Sequence, residues 1–358
     1  MPEIELYRPE DRRGVEALYR RVFGPDAASA WQLRWDWQFR RDPYIDGDQP
    51  PIWITREGPS VVGMLASLPM RLSLKGLEVR GAWPMDAMVA PERQHQGFGE
   101  QLFRAFERSV GGALAVGLTE HAHHLLHRVG WHDPCAVPCL VKPLTRRAVR
   151  QPHWPTAVNR LVSAITLPVV RFVSRARPIR QEVQSIRRFD ASATALWDRV
   201  APKLDLAVRR DATYLTWRYI EPPHIRYNVV SLTHDGAMQA YAVYRHVQEP
   251  RGKVTLLVDF LCDPDDEASL ATLLRSVDRE ARANDSDKVR AYVTHAGYRR
   301  LLRRSGYFVV KSDLEVAAHV SAVQVPPTFY DETDRWHITL GDADQDPVLR
   351  VGAATLEA

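Results

Sequence analysis

The chain has 358 residues, of which 45% are hydrophobic and 26% charged, and a formal net charge of +4. That length is more than one ordinary core needs and points to two domains, while the composition excludes disorder over most of the chain. A small net charge carried by scattered arginines excludes a dense nucleic-acid footprint, and three cysteines (Cys135, Cys139 and Cys262) exclude a disulfide framework, which fits a reducing, cytoplasmic setting.

The opening MPEIELYRP has neither the basic stretch nor the apolar stretch of a secretory signal, and residues 4–7 read as a strand. Helices are expected over 13–23 and 29–40; Trp31 and Trp35, four apart, favour packing on one face. PIWITR (51–56) and SVVGMLASL (60–68), joined at Glu57-Gly58-Pro59, form a hairpin. A strand over 77–89, a glycine-opened helix, a strand over 113–118 and a short helix ending at Val129 follow. Residues 146–180, with Pro152, Pro155, Pro168 and Pro178, read as a linker. Within it, 157–173 is an amphipathic helix, because Arg160 and Arg171 break the apolar run, so no membrane span is expected. The basic run from Arg146 through Arg188 reads as a solvated face or a contact for an acidic partner.

The second half echoes the first. WQFRRDP, beginning at Trp37, is answered by WRYIEPP, beginning at Trp217, and each precedes a hairpin; the second is YNVVSL and AMQAYAVY around His234-Asp235-Gly236. HLLHRVGW, from His124, is answered by RLLRRSGY, from Arg300, each a short helix stopped by glycine. An internal duplication accounts for all three pairs. The mixed order of strands and helices argues for an α/β (α+β) fold in each half, a mixed central sheet with helices on both faces. The expected divisions are 1–145, a linker over 146–180, 181–320 and a tail over 321–358.

The stretch VAPERQHQGFGEQLF, starting at Val89, places Gly97 and Gly99 where the strand becomes a helix. Glycine costs roughly 0.5–1 kcal/mol inside a helix relative to alanine. Two there suggest an anion site, since first-turn amides and the helix dipole favour phosphate and glycine lets it approach. A plain turn is the alternative. In its setting, Gln94-x-x-Gly97-x-Gly99 between strand and helix resembles the GNAT superfamily of acetyl-CoA-dependent N-acetyltransferases, over about residues 4–143. The resemblance implies acetyl-CoA as co-substrate, no metal, and a small-molecule amine acceptor. It places Arg93, Gln94, His95, Gln96, Gly97, Phe98 and Gly99 around the pyrophosphate and Met88 and Val89 along pantetheine. The second half resembles the same fold, yet DFLCDPDDEASL, from Asp259, has acids where the glycines stand. Like charge would repel a pyrophosphate there, so the whole resembles a tandem GNAT protein with one degenerate domain.

Amine acylation needs a base, and Asp86 on the strand before the loop is the first candidate, with Glu120 and His121 after the next strand as the second. A purely structural carboxylate is the alternative for Asp86. Many members of the superfamily place a thiolate-protonating tyrosine where this chain has Leu126, which cannot donate. That departure favours a non-catalytic acyl-CoA-binding or scaffold protein as rival reading; a two-domain aminoacyltransferase of the peptidoglycan type is another. His123 and His127 share a helix face but lack a clear third metal ligand, and Asp342, Asp344 and Asp346 lack the later glycine and glutamate of a calcium loop.

Overall fold

The two echoed tryptophans meet. Trp37 and Trp217 stack with ring centroids 4.9 Å apart, and each indole N–H donates to the other's backbone carbonyl, at 2.9 and 3.0 Å. The reciprocity marks a pseudo-twofold axis between the halves. The structure is a computed structural model that describes residues 3–47, 49–150, 153–175 and 183–343.

The first half runs β1 (Ile4–Leu6), α1 (Arg12–Phe23), α2 (Pro25–Phe39), β2 (Ile52–Glu57), β3 (Ser60–Leu74), β4 (Leu77–Val89), α3 (Phe98–Glu107), β5 (Gly112–Val116), α4 (Glu120–Val129), β6 (Cys135–Ala136) and β7 (Cys139–Pro143). Helix α2 starts earlier than its periodicity suggests because Pro25 occupies its first turn, where a missing N–H costs nothing. Then come α5 (Arg146–Val149) and α6 (Thr156–Arg175). The second half runs β8 (Val183–Ser185), α7 (Ala191–Val200), β9 (Leu206–Val208), α8 (Ala212–Tyr219), β10 (Asn228–His234), β11 (Ala237–Glu249), β12 (Gly252–Cys262), α9 (Glu267–Ala283), β13 (Lys288–Tyr292), α10 (Ala296–Arg304), β14 (Phe308–Val310) and β15 (Glu315–Val320), followed by β16 (Trp336–His337). Core positions recur at helical spacing: Leu102, Phe103 and Phe106 of α3 pack with Trp53, Leu65 and Ala82, and Leu270, Leu273, Leu274 and Val277 of α9 pack with Leu257 and Val289.

Two mixed sheets result. One has the order β1-β2-β3-β4-β5-β15-β6, with β9 also pairing β3; the other has β8-β10-β11-β12-β13-β7-β14. Position by position the orders correspond, except that the last long strand of each half lies in the other half's sheet. β15 sits antiparallel between β5 and β6, and β7 sits antiparallel between β13 and β14. A boundary at residue 145 therefore leaves β7 on the first-half side of the sequence, although its hydrogen bonds belong to the second sheet.

Helix α6 follows the expected linker position. By length and composition alone its window Thr156–Val173, with mean hydropathy 1.3, is enough to cross a membrane, because the average over 18 residues absorbs the two arginines that break the uninterrupted run. The tail is partly structural core: Trp336, His337, Ile338, Thr339, Leu340, Asp342 and Ala343 are all buried. Asp344 and Asp346 lie outside the described residues.

Candidate functional site

The parallel strands β4 and β5 pair only at Gly81–Gly112 and Ala82–Ala113. Beyond that point β4 runs on for seven residues to Val89 while the chain after β5 turns away at Gly117, so the sheet opens as a V towards the start of α3. On its other edge β4 is bulged: Met64 pairs with Met88 and Ala66 with Met85, leaving Asp86 and Ala87 opposite Leu65 alone. A bulge re-aims backbone groups, and here it holds Asp86 at φ +49, a strained value for a residue other than glycine. Asp86 and Val89 are half-buried, Ala87 is exposed and Met88 is buried.

Asp86 accepts a hydrogen bond from the Tyr19 hydroxyl at 3.2 Å. Burial, and then the charge of Asp86, push the Tyr19 hydroxyl above its ordinary range, so it stays protonated and donates. Tyr19 is in turn stacked on Trp31, 5.0 Å between centroids, and Trp31 meets Trp35 edge-on at 4.7 Å, which makes that pair a packing element under the site. No sequence signal links Tyr19 to Asp86, 67 positions away.

At the mouth of the V, the loop from Gln94 to Gly97 is exposed, while Phe98 is buried and anchors the helix. His95 at φ +61 and Gly97 at φ +84 are left-handed, and the turn they make lays out successive amides ahead of the helix. Gly97 is the N-cap and has no side chain with which to cap the first turn, so the amides of Phe98, Gly99 and Glu100 remain available to an external acceptor. A Cβ on Gly97 would meet only Gln101 Nε2 at 3.9 Å; the glycine serves the backbone conformation, not the space. A Cβ on Gly99 would make an ordinary 3.5 Å contact with Leu125 of α4. Gln94 Nε2 reaches Val89 O at 3.4 Å and Gln96 Nε2 donates to Glu92 O at 3.1 Å, which fixes the loop to its own base. Arg93 turns away from the amides: its guanidinium holds Glu57, with Nη2 at 2.7 Å. Arg21 similarly holds Glu92.

The equivalent ground in the second half is occupied. β12 and β13 pair from Val254–Lys288 to Leu257–Ala291, and then the tail enters between them. Thr339 bridges to Val293, Thr294 N donates to Ile338 O at 3.2 Å, and on the opposite side His337 Nε2 lies 2.9 Å from Phe260 O. Asp259, five residues before Pro264 as Asp86 is five before Pro91, is wholly buried. It pairs with Arg210 at 3.2 Å and accepts from Tyr241 at 2.9 Å and Thr339 at 3.1 Å; Arg210 also holds Asp342 at 2.8 Å. Burial raises the Asp342 carboxyl above its usual range, and Arg210 opposes that. At the helix entrance the acids satisfy the amides themselves: Asp266 accepts from Ser269 N at 3.0 Å, Asp263 accepts from Asp265 N at 3.0 Å, and Lys203 neutralises Asp263 and Asp265.

Glu120 and His121 are exposed at the start of α4, capped by Thr119, on the β5 side of the V. Leu126 is buried among Phe103, Phe106 and Ala113, with no proton to give. Among the described residues no group of three or more His, Cys, Asp or Glu side chains is placed to hold a metal.

A family model described as an acetyltransferase (GNAT) domain matches residues 3–132. Solved structures of similar fold include a GCN5-related N-acetyltransferase from Anabaena variabilis ATCC 29413, at 12% identity and TM-score 0.61, covering 90% of this chain and 73% of that one. A probable N-acyltransferase from Enterococcus faecalis V583 gives 9% identity, TM-score 0.61 and the same coverage of 90% and 73%. Saccharomyces cerevisiae N-myristoyltransferase with bound myristoyl-CoA gives 12% identity and TM-score 0.55 over 91% of this chain and 84% of that one. No curated protein sequence matches the chain. Residues 3–132 thus match the GNAT acetyltransferase domain model, and the whole chain has a two-domain GNAT-like fold.

Proposed function

We propose that the first half transfers an acyl group, acetyl in our reading, from an acyl-CoA co-substrate to a primary amine of a small polar metabolite such as an amino sugar. The observation that carries this reading is the bulged edge of β4 leading through the exposed loop from Gln94 to Gly97 into an uncapped helix start. The pyrophosphate rests on the amides from Gln94 to Gly99, and pantetheine lies along Met88 and Val89. A β4 backbone N–H at the bulge polarises the thioester carbonyl. Asp86, held by Tyr19, takes the proton from the ammonium; Glu120 and His121 are the reserve. The amine nitrogen forms the new C–N bond as the C–S bond breaks; the second proton that nitrogen loses passes to solvent, and the thiolate takes its proton from solvent, because Leu126 offers none. No metal enters this scheme.

In the same reading residues 1–145 carry the site, 146–180 connect, 181–320 form a degenerate partner domain that shapes the acceptor cleft or stabilises the first, and 321–358 are a tail of which residues 336–343 close the partner's cleft. Free cysteines, one half-buried and two buried, suit a reducing, cytoplasmic setting. Leu126 favours a second reading, an acyl-CoA binder without chemistry. Calorimetric titration of acetyl-CoA tests the site, and thiol release over an amine panel then tests the chemistry. Binding with no thiol release from any amine selects the second reading; no binding rejects both.

A further inference from the structure

Helix α6 is amphipathic in the reverse sense. Its buried positions are Asn159, Ser163 and Val170, two of them polar, whereas Val158, Leu161, Ile165, Val169 and Phe172 are exposed, Leu161 by 62% and Phe172 by 76%. At about 100° per residue those five fall on one stripe opposite the buried line, and Arg160 and Arg171 fall together along one edge of it. Val170 packs against Gly306, where a Cβ would lie 3.4 Å from its Cγ1, and the exposed Phe308, Val309 and Val310 of β14 begin two residues later. Among the described residues, nine of the thirteen large apolar side chains that are exposed belong to α6, the preceding Trp154 and β14. Clustering of this kind marks a docking face.

Charge identifies the occupant. From residue 134 to residue 181 the sequence contains no Asp or Glu, and eight arginines lie between 146 and 180. Arg146, Arg147 and Arg150 on and beside α5, which packs on α6, are exposed. An apolar stripe edged by arginines, with an exposed tryptophan before it and no acid on its own stretch of chain, although Arg147 also reaches Asp287 at 3.6 Å, is complementary to an anionic bilayer surface, where stems lie in the interface and guanidinium groups meet phosphates. We propose that α6 and β14 form a membrane-docking face, with α6 lying in the plane of an anionic lipid surface while its inner side stays on the protein.

Cosedimentation of the full chain with phosphatidylcholine vesicles, with and without phosphatidylglycerol, tests this. The expected result is binding to the anionic vesicles, released by high salt. Arg160→Gln with Arg171→Gln should weaken it about fivefold per arginine. Leu161→Gln with Phe172→Gln should weaken it about tenfold or more. Leu33→Gln, at a lone exposed leucine on α2, is the control and should leave binding intact. Equal melting temperatures of all variants exclude unfolding as the cause. Three outcomes overturn the proposal: no sedimentation with either vesicle; sedimentation that resists alkaline extraction, which signifies a spanning helix; and a lipid-free dimer by light scattering that Leu161→Gln with Phe172→Gln disperses, which makes a second copy the occupant.

Discussion

The two halves carry an aspartate at the same place on the same strand, and the surroundings give it opposite fates. Asp86 sits half-buried on a bulge and accepts from the Tyr19 hydroxyl, on the strand that leads to an uncapped helix; Asp259 is sealed under the tail and locked to Arg210, Tyr241 and Thr339. The helix entrances differ in the same direction: backbone amides bare of side-chain caps after β4, amides saturated by Asp263 and Asp266 after β12. One half leaves its helix-entrance amides without side-chain partners, and the other satisfies them with its own side chains. A duplicated fold thus separates the cost of holding a site from the cost of holding the protein together.

The sharpest way to break that contrast is to change both aspartates. Asp86→Asn should lower turnover about 10²–10⁴-fold with little change in coenzyme affinity or melting temperature, because only the proton acceptor is lost. Normal turnover would remove Asp86 as the base. Asp259→Asn should do the reverse, costing about 3 kcal/mol in chemical denaturation by leaving Arg210 buried with a single carboxylate, and leaving acetyl-CoA affinity unchanged. If it abolishes coenzyme binding instead, the halves do not divide their labour.

Gly97→Val should weaken acetyl-CoA binding about a hundredfold, roughly 3 kcal/mol, since a β-branched residue cannot hold φ +84 without rebuilding the amide cradle. Unchanged affinity in calorimetry would reject the loop assignment. The pH response should distinguish the halves next. Burial holds His337 well below the ordinary histidine value, His295 down to about 4 and His224 down to about 3, whereas the histidines of the glycine loop and the start of α4 are exposed. A lowered histidine is neutral when folded and takes a proton when unfolded. Stability is therefore full above about pH 6.5 and falls below it, by about 1.4 kcal/mol per pH unit for the fully buried His337. Denaturation of wild type and His337→Phe between about pH 7 and about pH 5 measures it; a flat profile in wild type would contradict a neutral, sealed tail. Smallest of all, Gly99→Ala should change coenzyme affinity only a few-fold, because its Cβ meets Leu125 at an ordinary distance and the first-turn amides keep their direction.

Much of this is legible in the sequence. Gly97 and Gly99 sit between an apolar strand and an amphipathic helix, and that local pattern marks the strand-to-helix turn and its uncapped helix start. Trp37 and Trp217 announced the duplication, and their reciprocal bonds follow from it. What was hidden is what depends on distant partners. Tyr19 reaches Asp86 across 67 positions, and Glu57 draws Arg93 off the loop, neither marked by any spacing. The tail from Trp336 to Ala343 lacks a period because it fills a cleft whose shape is set by β12 and β13, not by its own regularity. The sheet to which β7 or β15 belongs is equally invisible, since an alternating apolar strand fits either neighbour.

That last arrangement bears on how such a chain could arise. One repeat by itself has a slot in its sheet between the fifth strand and the short one, and its own closing strand projects into another molecule's slot. A lone ancestor would have been half-finished, complete only as a pair of identical copies clasping each other. Joining two such copies in one chain would make the clasp permanent, and with the embrace guaranteed by covalent connection, one of two equivalent pockets would be released to be filled by residues 336–343.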